Sequence, residues 1–98
     1  MNLKTIGIIG GMYKEKNIKK FEEKYSVNVI CKDGRNSRKN YLFNMAKQVD
    51  CLVIVKTFCG HETMYNAKEA AKKIDTPIVY PRETNMEKVI QSAVAALA

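Results

Sequence analysis

The sequence predicts an α/β domain in which four parallel strands alternate with four helices in the order βαβαβαβα. One observation is a theme that occurs four times: a short apolar run, then turn residues, then a stretch with helical periodicity. Another is that a helix stands between each pair of successive strands. Such crossover connections join parallel strands, so the four strands should run in the same direction. The length of 98 residues accommodates one such domain, covering residues 1–98, and no second independent core.

The first half of the chain contains two strands and two helices. The apolar, β-branched run Lys4–Gly10 ends at a Gly-Gly pair, and an amphipathic helix is predicted over Asn17–Ser26. Val27–Cys31 alternates between apolar and polar residues, which is typical of an edge strand. Ser37 is placed to cap the next helix. That helix is expected to turn five side chains inward, namely Tyr41, Leu42, Met45, Ala46 and Val49.

The second half repeats the theme. Cys51–Phe58 begins with five apolar residues without alternation, which indicates a strand buried on both faces. Helical spacing fits Glu62–Ile74, and Pro77–Tyr80 is a short final strand, in which Pro is tolerated at the start. The sequence Thr84-Asn85-Met86-Glu87 has the form of a capping box and opens a last helix.

The strand order follows from the apolar content of each strand. Thr5–Ile9 and Cys51–Val55 are the most continuously apolar segments and should be central, whereas the alternating strand and the Pro-led strand should form the edges. The predicted order is therefore 2-1-3-4, in a three-layer sandwich of the flavodoxin-like or half-Rossmann kind.

Composition and charge limit the function classes. Hydrophobic residues make up 46% and charged residues 28%, which excludes a disordered chain. No apolar run reaches the ~20 residues of a membrane helix, no cleavable signal pattern is visible, and the three cysteines lack CxxC spacing. We therefore expect a soluble, cytoplasmic protein with no membrane partner.

The net charge of +7 arises in residues 1–49, which hold eleven basic and four acidic side chains. This asymmetry indicates either an anionic partner or a solvated basic face.

The expected binding site lies where the strand order reverses, beyond the carboxyl ends of the first and third strands. Loops at that edge carry the only histidine, one cysteine, three arginines, Tyr80 and a Gly-Gly pair. We predict that an anionic or phosphate-bearing small molecule binds there. The candidate ligand-binding residues are Gly10, Gly11, Lys14, Arg35, Arg38, Cys59, Gly60, His61 and Arg82. Neither a GxGxxG pattern nor a Walker-type loop is present, so a dinucleotide site is not indicated.

Alternative functions remain open at this stage. Cys59 and His61 stand at the start of a predicted helix, where partial positive charge favours a thiolate. Either residue is an alternative axial ligand for haem or for a metal shared between subunits, and His61 is an alternative acid/base residue of a small enzyme. The third alternative is a nucleic-acid accessory protein that uses the basic first half, although no recognised motif accompanies the charge.

The last predicted helix is apolar on more than one face, which favours a homo-oligomer formed through it. Its apolar residues are Val89, Ile90, Ala93, Val94, Ala95, Ala96 and Leu97.

Four segments together resemble a known bacterial family. They are KTIGIIGG, NVICKDGR, CLVIVKTFCGHETMYNAKEAAKK and IVYPR, and they are similar to the domain-of-unknown-function family DUF twenty-three twenty-five over nearly the whole chain. Asp33-Gly34-Arg35 matches the turn of that family, and His61 matches its histidine. Gly60 departs from the pattern, in which a small hydroxyl residue is expected. The resemblance implies a small α/β fold and a site around His61.

Overall fold

A four-stranded parallel sheet is the centre of the fold. The computed structural model describes residues 3–10, 13–32, 34–35 and 38–97, with only the backbone of residue 58, and its sheet has the order β2-β1-β3-β4. The strands are β1 (Lys4–Ile9), β2 (Val27–Lys32), β3 (Cys51–Ile54) and β4 (Ile78–Val79). The helices are α1 (Glu15–Tyr25), α2 (Lys39–Gln48), α3 (His61–Ile74) and α4 (Met86–Leu97).

The predicted fold class, strand direction and strand order are confirmed. β1 pairs in parallel with β2 and with β3, and β3 pairs in parallel with β4. β3 is shorter than the predicted run to Phe58, because residues Lys56–Phe58 form a single 3₁₀ turn that begins at exposed polar side chains. The backbone N–H of Val55 still donates to the carbonyl oxygen of Ile9 at 3.0 Å, so the two central strands stay paired to their ends.

The two central strands are buried on both faces, as their apolar runs predict. Ile6 and Ile8 of β1 pack in the core beneath α1 and α4, whereas Ile9 packs in the opposite core beneath α2 and α3. Neighbouring strand residues alternate in the same way on β3, where Val53 joins the first core and Leu52 joins the second. These five side chains have no exposed surface.

The helix caps differ from the sequence-based prediction. Asn85, rather than Thr84, is the cap of α4, because its side-chain Oδ1 accepts hydrogen bonds from the backbone N–H groups of Glu87 at 3.0 Å and Lys88 at 3.3 Å. The carbonyl oxygen of Thr84 instead accepts a hydrogen bond from the Tyr13 hydroxyl at 2.9 Å. The predicted cap Ser37 lies outside the described residues, and Arg38 occupies the N-cap position of α2.

Helix α4 buries much of its apolar surface within the single domain. Val89, Ile90 and Ala93 have no exposed surface, and Val94 and Leu97 are half-buried against the same core. The exposed apolar surface of the described part of α4 consists mainly of Ala95 and Ala96. Assembly of a homo-oligomer through α4 stays a prediction.

Side chains of α1 stabilise the edge of the sheet and its outer layer. The Glu22 carboxylate accepts a hydrogen bond from the backbone N–H of Val29 in the edge strand β2 at 2.8 Å. Near the C-terminus of α1, Lys24 forms an ion pair with Glu87 of α4, and the Tyr25 hydroxyl donates to the same carboxylate at 3.1 Å. No helix in the described part of the chain is long and apolar enough to cross a membrane.

Candidate ligand-binding site

The carboxyl end of β1 turns sharply at Gly10. Its φ of 95° lies in the left-handed region that L side chains rarely adopt, so this position requires glycine. The Gly10 N–H donates to the carbonyl oxygen of Lys32 at 3.0 Å, which holds the end of β1 against the end of β2. Gly11, the second predicted glycine, lies outside the described residues.

The start of α3 is attached to the loop after β2. The N–H of Gly60, the N-cap residue of α3, donates to the carbonyl oxygen of Gly34 at 3.0 Å. This bond places His61, the first residue of α3, beside the Gly34–Arg35 turn. Two of the predicted loops therefore meet at this edge of the sheet.

Other predicted site residues lie apart from His61. Arg82 lines a separate hollow of about 420 Å³ together with Lys88 and Ser92 of α4. Lys14 and Arg38 are exposed residues at the N-cap positions of α1 and α2. None of these three residues lines the hollow at His61, which is described next.

His61 opens into a hollow of about 590 Å³ between the ends of β3 and β4 and the first two turns of α3. Its lining consists of Lys56, His61, Met64, Tyr65, Lys68 and Tyr80. The hollow lies beside β3 and β4, one strand away from the predicted position between β1 and β3. The chain brings it there because the 3₁₀ turn after β3 carries Lys56 toward Tyr80, which directly follows β4.

The hollow combines positive charge with exposed aromatic rings. The Nζ atom of Lys56 lies 4.8 Å from the centroid of the Tyr80 ring, within the range of a cation–π interaction. Tyr65 is 64% exposed and Tyr80 is 38% exposed. None of the described residues in the lining is acidic. Such a lining can hold an anionic group at its lysines and a planar group against its rings.

Cys59 lies close to His61 in sequence but faces the protein interior. It packs against the core formed by α2 and α3, and its Sγ atom lies 3.6 Å from the Gly60 carbonyl oxygen, to which the thiol donates. Burial raises the pKa of the Cys59 thiol above its ordinary value, which favours the protonated thiol over the thiolate expected from the sequence. The N-cap residue of α3 is Gly60, so Cys59 lies one residue before the helix cap. Among the described residues, no three His, Cys, Asp or Glu side chains are grouped to hold a metal ion.

Sequence reasoning missed four of the lining residues: Lys56, Met64, Tyr65 and Lys68. A signal for two of them was present, because His61, Tyr65 and Lys68 stand at positions i, i+4 and i+7 and therefore share one face of a helix. Lys56 had no such signal, since its aromatic partner Tyr80 lies on a different strand end.

Residues 5–95 match the family described as "Uncharacterized protein conserved in bacteria (DUF2325)". The chain belongs to this family. The resemblance drawn from its sequence segments is thereby confirmed. The match extends from the second residue of β1 to all but the last two residues of α4.

Relatives of similar length occur in several bacteria. A UPF0751 protein of Desulfitobacterium hafniense is 30% identical over 87 residues, which are 87% of this chain and 86% of the relative. A UPF0751 protein of Bacillus anthracis is 35% identical over 80 residues, 80% of each chain, and one of Bacillus cereus is 34% identical over the same length. No solved structure matches this chain.

Proposed function

We propose that this DUF2325 domain binds a small molecule that carries a phosphate or a similar anionic group, in the hollow lined by Lys56, His61 and Lys68. The observation that carries the proposal is the composition of the lining, in which two lysines and a histidine face a space free of described acidic side chains. Anions are attracted to such a site because the two lysines are positively charged and no described acidic residue in the lining offsets them.

The size and aromatic content of the hollow support the same proposal. Its volume of about 590 Å³ falls within the range typical of small-molecule sites. Tyr65 and Tyr80 add two rings that can cover a flat part of the ligand, while the ammonium group of Lys56 remains near one of them. We assign Lys56 and Lys68 to the anionic group and the two tyrosines to the remainder of the ligand.

Thermal unfolding in the presence of inorganic phosphate, pyrophosphate and AMP tests the proposal. A ligand at a hundred times its dissociation constant stabilises the fold by about 2.7 kcal/mol, so at least one of these compounds should raise the unfolding midpoint of the wild-type protein. The Lys68→Gln variant should lose most of that increase. Lys72→Gln is the matched control, because Lys72 is an exposed lysine of the same helix that does not line the hollow.

Two outcomes would overturn the proposal. One is that none of the three compounds changes the midpoint of the wild-type protein. The other is that Lys68→Gln and Lys72→Gln respond to the compounds as the wild type does, which would place any bound anion elsewhere on the molecule.

A further inference from the structure

A second hollow continues from the first along α3. It lies between α2 and α3, has a volume of about 440 Å³, and its lining includes Lys39, Phe43, Glu69 and Lys73. Tyr65 lines both hollows, so they form one surface on either side of that ring. We call this surface the α3 groove.

The lining of the α3 groove combines positive charge with aromatic rings. Its four lysines face a single described acidic residue, Glu69. The lysines are Lys39, Lys56, Lys68 and Lys73. Three rings are spread along the same surface, those of Tyr80, Tyr65 and Phe43. Proteins that bind single-stranded nucleic acid use this combination, because lysines follow the phosphates while bases stack on aromatic side chains.

We infer that the α3 groove binds a short single strand of RNA or DNA. This inference rests on the proposed function, because one phosphate of the strand would occupy the first hollow. The span of α3 from His61 to Lys73 is about 18 Å at ~1.5 Å per residue, so the groove is long enough for a strand that enters both hollows. The occupant is single-stranded, because the bases of a duplex are stacked on one another and cannot lie against Tyr65.

The basic surface of α1 is a weaker candidate for the same partner. Its lysines are numerous, but its two rings, Phe21 and Tyr25, are half-buried against the core beneath α1 and α4. Lys20 and Lys24 already lie over the Phe21 ring, at 5.8 and 6.0 Å from its centroid. By contrast, the Tyr65 ring in the α3 groove is 64% exposed and available for stacking.

Fluorescence anisotropy of a 5′-labelled uridine octamer with the full chain tests this inference, with UMP measured in parallel. We expect the octamer to bind at least tenfold more tightly than UMP. Lys73→Gln, in the second hollow, should weaken the octamer several-fold and flatten its salt dependence by about 0.7 in log–log slope, while leaving UMP binding unchanged. Lys16→Gln on α1 is the charge-matched control and should change neither.

Tyr65 separates stacking from simple charge attraction. Tyr65→Ala should weaken the octamer at least fivefold, and Tyr65→Phe should retain most of the affinity because it keeps the ring. Both substitutions are at an exposed position, so the fold is expected to persist.

Several outcomes would overturn the inference. If the octamer binds no more tightly than UMP and Lys73→Gln has no effect, the strand does not extend into the second hollow, although the proposed function stands. If Lys16→Gln weakens octamer binding as much as Lys73→Gln does, or if an octamer of glutamate competes equally well, the groove does not bind nucleic acid specifically. Failure of UMP together with phosphate, pyrophosphate and AMP would instead contradict the proposed function itself.

Discussion

Gly7 shows how closely β1 and α2 approach each other. A Cβ atom added at this position would lie 2.8 Å from Val49 Cγ1 and 2.9 Å from Met45 Cε, closer than real Cβ atoms come. Sequence reasoning gave Gly7 no role of its own within the apolar run Lys4–Gly10. Its packing role could not be predicted, because it depends on the distance at which α2 crosses the sheet.

We expect Gly7→Ala to lower the free energy of unfolding by about 1–3 kcal/mol, because the added methyl group overpacks a closed interface. Urea denaturation monitored by circular dichroism measures the change. Gly60→Ser is the control, since a Cβ atom there meets only ordinary contacts at 3.8 Å and a serine at an N-cap stabilises a helix. Equal destabilisation by both substitutions would contradict this explanation of Gly7.

At the scale of strands and helices, the pattern of apolar residues was a better predictor than the capping signals at helix ends. The continuous apolar run after Asp50 correctly indicated a central strand, because a strand covered by helices on both faces has no solvent-exposed face that requires polar residues. The capping box at Thr84 misled, since Thr and Asn are both good caps and stand next to each other. In the structure the Asn85 side chain caps the helix, and the Thr84 carbonyl oxygen accepts a hydrogen bond from the Tyr13 hydroxyl of another loop.

The two candidate caps of α4 can be distinguished by substitution. Asn85→Ala should cost about 1 kcal/mol of stability, because two N–H groups of the first turn lose their acceptor. Thr84→Ala should cost much less, since the interaction of Thr84 uses its backbone carbonyl. Thermal and urea unfolding of both variants provide the comparison. A larger loss of stability for Thr84→Ala would show that Thr84 is the cap, as the capping box predicts.

The candidate site was predictable only in part. The edge of the sheet and His61 followed from topology, because parallel strands deliver their carboxyl ends to one side. The hollow itself forms one strand further along, where Lys56 and Tyr80 meet across the gap between β3 and β4. Side-chain pairs of this kind have no periodic sequence pattern, so sequence reasoning missed Lys56.

At the scale of the whole molecule, two free cysteine thiols pack in the core beneath α1 and α4. Burial raises the pKa of both Cys31 and Cys51 to about 11, from an ordinary value of 9.0. Cys51 has no exposed surface, and Cys31 packs against the same core beneath α1 and α4. Each thiolate would have to lose its hydration within the fold, so the folded chain favours the protonated form.

Stability should therefore fall as the pH rises from about 9 toward 11. In this range the unfolded chain releases the two thiol protons while the folded chain retains them, so ionisation favours unfolding. Urea midpoints measured with a reducing agent between these pH values should decline less steeply in a Cys31→Ala variant than in the wild type. An unchanged slope would show that the Cys31 thiol ionises as readily in the folded chain as in the unfolded one.

The contact between Glu22 and Val29 has a consequence for how these molecules meet one another. A backbone N–H at the margin of a sheet is where an additional strand from a neighbouring molecule would attach, and here a carboxylate already occupies it. An incoming segment would have to displace that carboxylate and tolerate its charge. Sheet extension across β2, the route by which exposed margins seed fibrous aggregates, is thereby discouraged by one glutamate from the adjoining helix.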